Sequence, residues 1–342
     1  MLFQTPPLNA HDRAVLGELD DYRRKLRNAL REPGRGTDNL RRNLQARAIR
    51  GSNTIEGYEV TLDDALAAVD DSEPLEADQD TWTEIIGYRN AMSYVQQLAH
   101  AEHFEYNATL LSSLHYMMLS HDLAKLPGRF RPGPIYVHDD DTGENVYEGP
   151  DAELVPGLID ALVAQLHAAR SEAVFVRAAM AHLNLVMIHP FKDGNGRMAR
   201  ALQTLVLARE GVLAPEFSSI EEYLGSRRNT QEYYAVLALV GGGSWQPAND
   251  AGPWIRFNLR AHHIQAQTVL RRIEETAKLW DALETLTDHK GLPARAVPAL
   301  YDAALGFRVR RSKYEDDADV EPATAGCDLR RLVESGLLLT RG

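Results

Sequence analysis

The chain has 342 residues, 44% of them hydrophobic and 25% charged, an ordinary globular composition that excludes wholesale disorder and low-complexity architectures. Its 37 basic residues stand against 49 acidic ones, a net charge of −12, which argues against a general binder of nucleic acid or membrane surfaces. The single cysteine, Cys327, excludes an internal disulfide and a Cys-based zinc site, and it fits a reducing compartment. The longest apolar run, 173–188, is broken by Arg177, His182 and Asn184 and falls short of the roughly 20 residues of a membrane span. The first residues lack the basic-then-apolar layout of a signal peptide. A cytoplasmic protein of about two domains, with no membrane partner, is expected.

Helical periodicity dominates the chain. Tyr22 to Leu30 and Asn39 to Ile55 read as helices on either side of the breaker Pro33-Gly34-Arg35-Gly36, with Asp38 as a cap. Tyr22 to Arg50 carries ten Lys/Arg against two acids, and Glu56 to Asp80 carries ten acids and no base. Such blocks can neutralise one another in a fold. Trp82 to His100 and Ala108 to Ser120 follow with apolar residues at three- and four-residue spacing. Then the pattern breaks: Pro134 to His138, an acidic turn at Asp139 to Asp141, and Glu144 to Glu148 read as a hairpin that needs support from the body. Ala152 to Ala169, Ala173 to His189, Gly196 to Glu210 and Asp250 to Thr276 return to helical spacing.

The stretch His189-Pro-Phe-Lys-Asp-Gly-Asn-Gly-Arg-Met-Ala-Arg200 carries the chemistry. An apolar helix ends at His189, and Pro190 blocks its continuation. Gly194 and Gly196 precede a second helix, where bare backbone N–H groups and the helix dipole attract an anion. Arg197 and Arg200 flank that helix start and add phosphate grip. Asp193 offers a hard oxygen suited to Mg²⁺, and His189 is a base that titrates near neutrality. Base, metal carboxylate and anion cradle within twelve residues describe phosphoryl or nucleotidyl transfer. Gly194-x-Gly196-x-x-Ala199 also matches a dinucleotide fingerprint, but it follows a helix and a proline rather than a strand, so that reading is rejected. His182, seven residues before His189 in an apolar run, reads as a packed core residue rather than a metal ligand.

His189 to Arg200 resembles the full signature of the Fic family, HPFx(D/E)GNGRxxR, at every defined position. The resemblance implies a mostly α-helical Fic-type bundle with a β-hairpin flap, and transfer of AMP from ATP to a Ser, Thr or Tyr hydroxyl of a target protein. It implies that His189 deprotonates the hydroxyl, that Asp193 holds Mg²⁺ on the α- and β-phosphates, and that the amides of Gly194, Asn195 and Gly196 form the anion hole with help from the Asn195 side chain. Arg197 would then face the β-phosphate and Arg200 the γ-phosphate. Upstream, Ser52-Asn-Thr-Ile-Glu-Gly57 resembles the family's inhibitory motif (S/T)xxxE(G/N), implying a Glu56–Arg200 ion pair that occupies the arginine ATP needs. The plainer reading of Glu56-Gly57 is a helix C-cap with Gly57 left-handed. Gly51, within that helix, costs about 1 kcal/mol relative to alanine and would let the helix yield.

By the same resemblance, Ile135, Tyr136 and Val137 form the working edge of a flap that pairs with a target segment, and Tyr223, Asn229, Tyr233 and Tyr234 lie on the adenine side. Residues 324–338 resemble the recognition helix of a winged helix-turn-helix. Arg308, Arg310, Arg311, Lys313, Arg330 and Arg331 would serve phosphate contacts there, against Glu315, Asp316, Asp317, Asp319, Glu321, Asp328 and Glu334. Docking or a structural role is therefore favoured over DNA binding. Three segments are expected: N-terminal helices with the inhibitory motif (1–80), a catalytic core (81–277) and a winged-helix-like module (278–342). Removal of AMP, transfer of another nucleotide, and a DNA-binding regulator stay open as alternatives, as does a homodimer.

Overall fold

The computed structural model describes residues 1–31, 34–138, 143–168 and 172–340. Helix α1 (Ala10–Arg31) begins twelve residues ahead of the expected Tyr22. It is followed by α2 (Thr37–Ile55), α3 (Leu62–Val69), α4 (Gln79–Leu98) and α5 (Ala108–Leu119). Three of these starts are set by side chains that accept an orphan first-turn N–H. Thr61 takes that of Asp64 at 3.0 Å, Asp78 that of Thr81 at 2.8 Å, and Asn107 that of Leu110 at 2.7 Å. Asp38 is not the cap of α2: Gly36, left-handed at φ 78°, holds that position, and Asp38 sits in the first turn, where its charge suits the helix dipole.

A two-stranded antiparallel hairpin follows, β1 (Tyr136–His138) and β2 (Asn145–Glu148). The acidic turn Asp139–Asp141 lies outside the described residues, as does Pro33. The body supports the hairpin as its size requires. The Tyr147 hydroxyl donates to the Met187 carbonyl at 2.7 Å, and the Glu148 N–H donates to the Gly243 carbonyl at 3.0 Å. Beyond it lie α6 (Val155–Ala168), α7 (Val174–Ile188) and α8 (Asn195–Arg209), then two single turns, α9 (Pro215–Ser218) and α10 (Glu221–Leu224). Next come α11 (Arg227–Gly241) and α12 (Gly252–His289).

The main core is built on α7 and α8, which are buried almost all round, so their sequences lack a polar face. His182 is core, as read from the sequence. Its Nδ1 meets Gln203 Oε1 at 2.7 Å, its Nε2 meets the Tyr233 hydroxyl at 3.0 Å, and burial lowers its pKa to about 3. Gly51 is not a yielding point. A Cβ there would lie 2.2 Å from the Glu221 carbonyl oxygen, so the residue lets α2 cross α10 in close contact.

The expected boundary at 278 falls inside α12, which runs 38 residues without interruption. Its last turns join α13 (Val297–Ala304), α14 (Arg311–Ala318) and α15 (Pro322–Glu334) around a second core of Leu283, Val297, Leu300, Tyr301, Tyr314 and Leu332. Among the described residues no strand follows α15. The basic residues of this region are largely engaged: Arg308 with Asp63 and Glu76, Arg311 with Glu315, Lys313 with Asp317, and Arg331 with the Gly291 carbonyl. Among the described residues no helix is long and apolar enough to cross a membrane.

Candidate active site

The loop between α7 and α8 takes its shape from its own sequence. His189 caps α7 in the left-handed conformation, φ 50° and ψ 58°, a strained choice for a residue with a Cβ. Three contacts hold it there. The His189 N–H donates to the Leu185 carbonyl at 3.0 Å, its Nδ1 meets the Val186 carbonyl at 2.9 Å, and its own carbonyl accepts from Arg131 Nε at 2.8 Å. The Nδ1 contact to a carbonyl places the proton on Nδ1 and leaves Nε2 as the free base. Burial, aided by Arg131, lowers the pKa of His189 against the pull of the Val186 carbonyl, so the imidazole is neutral and ready to accept a proton.

Asn195 locks the rest of the loop. Its amide donates to the Phe191 carbonyl and accepts from the Phe191 N–H, both at 2.9 Å. The side chain is thereby committed to the loop backbone, and what Asn195 offers an anion is its main-chain N–H. Gly194, left-handed at φ 73°, precedes the first turn of α8. The N–H groups of Asn195, Gly196 and Arg197 there have no carbonyl four residues earlier to bind. With the helix dipole they make an anion cradle.

The two arginines are buried but not alike. Arg200 is 2% exposed and donates through Nη2 to Glu56 Oε1 at 2.6 Å and to the Ser52 carbonyl at 3.0 Å, and through Nε to Ser52 Oγ at 2.8 Å. The expected contact between two segments 144 residues apart is thus present. Glu56 is at the same time the C-cap of α2, with Gly57 left-handed at φ 87°, so the helix cap and the ion pair coexist at Glu56-Gly57. Gly196 is glycine for the same reason: a Cβ there would meet Glu56 Oε1 at 2.5 Å. Arg197 pairs instead with Glu84 from α4, beneath the ring of Tyr58.

Four residues outside the motif complete the site. Glu84, 3% exposed, accepts from Arg197 and from Lys125 Nζ at 2.7 Å. Burial would raise its pKa, but the two cations outweigh that and hold it at about 2. Lys125, at the end of a 3₁₀ turn spanning Leu123–Lys125, also reaches Asp193 Oδ2 at 2.9 Å, while Asp193 Oδ1 accepts the Gly194 N–H at 2.6 Å. His115 on α5 stacks flat on Phe191 at 3.8 Å, accepts the Gly128 N–H at Nδ1 and donates through Nε2 to the Asp193 carbonyl at 2.9 Å. Arg131 ties His189 to the base of the hairpin through the Gly133 and Pro150 carbonyls.

The hairpin lies close by. The Gly149 N–H donates to the Ile135 carbonyl at 3.1 Å, and Tyr136 pairs with Glu148, Val137 with Tyr147. Antiparallel alternation therefore turns the N–H and C=O of Tyr136 away from β2, toward the open edge of the sheet. The Glu148 N–H points the opposite way, to Gly243, as that alternation requires. Ile135 is partly buried at the foot of the strand, and the Tyr136 side chain is exposed.

The expected adenine-side group separates. Tyr233 is buried at 1% exposure with its hydroxyl on His182, so it is a core residue and not a platform for a base. Tyr234 is exposed and bonds the Ile55 carbonyl at 3.0 Å, tying down the end of α2. Asn229 holds the Tyr223 carbonyl at 2.7 Å, and Tyr223 packs partly buried on the core. No group of three or more His, Cys, Asp or Glu side chains converges as a metal cage among the described residues. A Mg²⁺ that takes one protein carboxylate and draws its other oxygens from phosphate and water still fits Asp193.

Residues 105–207 match the family model described as the Fic/DOC family, a span from α5 through α8 that leaves Glu56 and Glu84 outside. The protein adenylyltransferases Fic of Drosophila virilis and Drosophila melanogaster are each 28% identical over 251 residues, 72% of this chain and 47% and 46% of theirs. The chain therefore spans about half the length of these curated relatives. Among solved structures, a Fic family protein from Desulfovibrio desulfuricans G20 aligns with a TM-score of 0.67 at 22% identity, covering 92% of this chain and 89% of that one. Fic-1 from C. elegans aligns at 0.62 and 24% identity, covering 78% and 74%. Residues 105–207 are thus similar to the Fic/DOC family, and the chain shares its fold with the solved structures.

Proposed function

We propose that the chain is a protein adenylyltransferase that transfers AMP from ATP to a hydroxyl of a target protein and that Glu56 restrains it. The observation that carries this reading is the meeting of a neutral His189, the open first turn of α8 and the Arg200 guanidinium in one buried loop. The names of the Drosophila relatives support it. His189 Nε2 accepts the proton of a Ser, Thr or Tyr hydroxyl, whose oxygen bonds to the α-phosphorus as pyrophosphate departs. The first-turn amides of α8 bind the charge that develops on the phosphoryl oxygens. Arg200 grips the terminal phosphate once Glu56 leaves it. Asp193 would hold Mg²⁺, which when bound neutralises polyphosphate charge. The outward N–H and C=O of Tyr136 suit an extended target segment added to β1 as a further strand.

ATP labelled at the α-phosphorus tests the reading against phosphoryl transfer. The Glu56→Gly protein should label itself or a lysate protein from α-labelled ATP and not from γ-labelled ATP. His189→Ala in that background should lower labelling by about 10²–10⁴-fold while nucleotide binding persists. Label arriving from the γ-position, or transfer that survives the loss of His189 within a few-fold, would replace this assignment.

A further inference from the structure

Lys125 is outside the motif, yet its side chain is ion-paired with the carboxylate that motif supplies. Its ammonium stands 2.9 Å from Asp193 Oδ2 and 2.7 Å from Glu84 Oε1, and Glu84 in turn meets Arg197. The row Arg197, Glu84, Lys125, Asp193 thus alternates in sign across the mouth of the cradle. Its support is specific. The 3₁₀ turn that carries Lys125 is capped by Asp122, whose Oδ1 takes the Ala124 N–H at 2.9 Å, and is tied to the loop by Lys192 Nζ on the Ala124 carbonyl at 3.0 Å. The next residue, Leu126, is left-handed at φ 54°, a conformation a leucine holds only when its surroundings impose it. Lys125 and Asp193 remain 24% and 39% exposed at their side chains, so the contact is open to solvent.

We propose that Lys125 is a positioning residue that competes with a divalent cation for Asp193 and so makes metal loading depend on nucleotide. The inference rests on the reading of Asp193 as the metal carboxylate. Lys125, Arg197 and Arg200 balance Glu84, Asp193 and Glu56 one for one. A bare divalent cation would have to displace an ammonium and add two charges beside two arginines. A nucleotide polyphosphate brings the negative charge that offsets this. The four-carbon stem of Lys125 lets its head withdraw onto Glu84, leaving the Asp193 oxygen to the metal and one donor to the phosphates. Glu84, from α4, sets where that lysine rests.

Mn²⁺ titration of the full chain, read by the EPR signal of free Mn²⁺, tests this with and without a nonhydrolysable ATP analogue. Wild type should take up Mn²⁺ at least about tenfold more weakly without nucleotide than Lys125→Met does, and Lys125→Arg should behave as wild type. The double variant Lys125→Met/Asp193→Asn should lose the gain. Thermal unfolding of each variant establishes that it is folded. Equal Mn²⁺ affinity in wild type and a folded Lys125→Met protein would overturn the proposal while leaving Asp193 as a ligand. Wild type that binds no Mn²⁺ even with the analogue would overturn the metal reading of Asp193, and the competition with it.

Discussion

Helix α2 is held at both ends by arginine–carboxylate contacts, and the two ends differ in what those contacts can do. Near its start, Arg42 pairs with Asp70 at 2.5 Å and with Asp302 at 2.8 Å, with side-chain exposures of 15%, 8% and 10%. All three groups are shielded. At its other end the arginine belongs to the partner helix. Arg200 is 1% exposed at its side chain while Glu56 is 21% exposed, and Ser52 gives the guanidinium two further bonds. Glu56 is the partner that can swing into solvent, and its departure leaves Arg200 a buried cation held by Ser52, whereas all three groups of the Arg42 cluster are shielded together. The first contact joins the C-terminal helices to α2 through Asp302. In the function proposed above, the second is the contact that a phosphate replaces.

The comparison breaks most readily at Arg42. Arg42→Ala leaves two shielded carboxylates without their cation, which costs about 3–5 kcal/mol. Urea unfolding should show that loss. Labelling by the folded fraction should stay at the restrained wild-type level, because the Glu56–Arg200 contact does not involve Arg42. Unrestrained labelling in Arg42→Ala would show instead that the near end governs the far one.

A second test uses Glu221, beneath the far end. Burial raises its pKa to about 7 despite the Tyr88 hydroxyl at 2.5 Å and the nearby Arg200. A carboxyl whose folded pKa lies above its unfolded value of about 4.3 stabilises the fold fully below that value and loses the contribution as pH rises through about 7. Glu221→Gln mimics the protonated acid. It should match wild type at pH 4 and exceed it at pH 8 by at most about 3 kcal/mol. A difference that does not grow between those pH values would place the proton elsewhere in the network.

Glu56→Gly tests the exchange itself. It should cost no more than the roughly 3–5 kcal/mol of a broken buried pair, since Glu56 is partly exposed and Ser52 still holds the guanidinium. It should nonetheless raise labelling at least about tenfold, the value of one charge-assisted hydrogen bond returned to the nucleotide. Arg42→Ala and Glu56→Gly then have opposite labelling phenotypes. Similar phenotypes in the two proteins would erase the distinction between the ends of α2.

What the sequence disclosed follows from how the site is assembled. His189 to Arg200 is contiguous, so base, cradle and arginines were legible as one pattern, and Glu56 was legible through a short motif of its own. Glu84, Lys125, His115 and Arg131 come from four separate segments, and each looks ordinary where it stands. Glu84 in particular is one acid on an amphipathic helix, and only the fold places it between Arg197 and Lys125. Charge blocks gave a partial hint, since the basic helix and the acidic stretch after it do meet at Arg42 and Asp70. The burial of Tyr233 was not legible, because helical spacing does not say which face is buried.

Ser52 provides the smallest and most selective test. Its hydroxyl accepts from Arg200 Nε, and its carbonyl from Nη2, so it orients the guanidinium whether or not Glu56 is in place. Ser52→Ala deletes the hydroxyl contact and keeps the carbonyl one. In the wild-type background the expected cost is about 1 kcal/mol of stability, with labelling still restrained because Glu56 remains paired. In the Glu56→Gly background the guanidinium is held by one bond fewer while it grips the terminal phosphate. The KM for ATP should then rise a few-fold with kcat nearly unchanged, since the lost contact serves binding before and during transfer alike. A fall in kcat at constant KM would mean that Ser52 acts on the reacting phosphorus through Arg200. Release of labelling by Ser52→Ala alone would mean that the hydroxyl, and not the Glu56 carboxylate, is what keeps Arg200 from ATP.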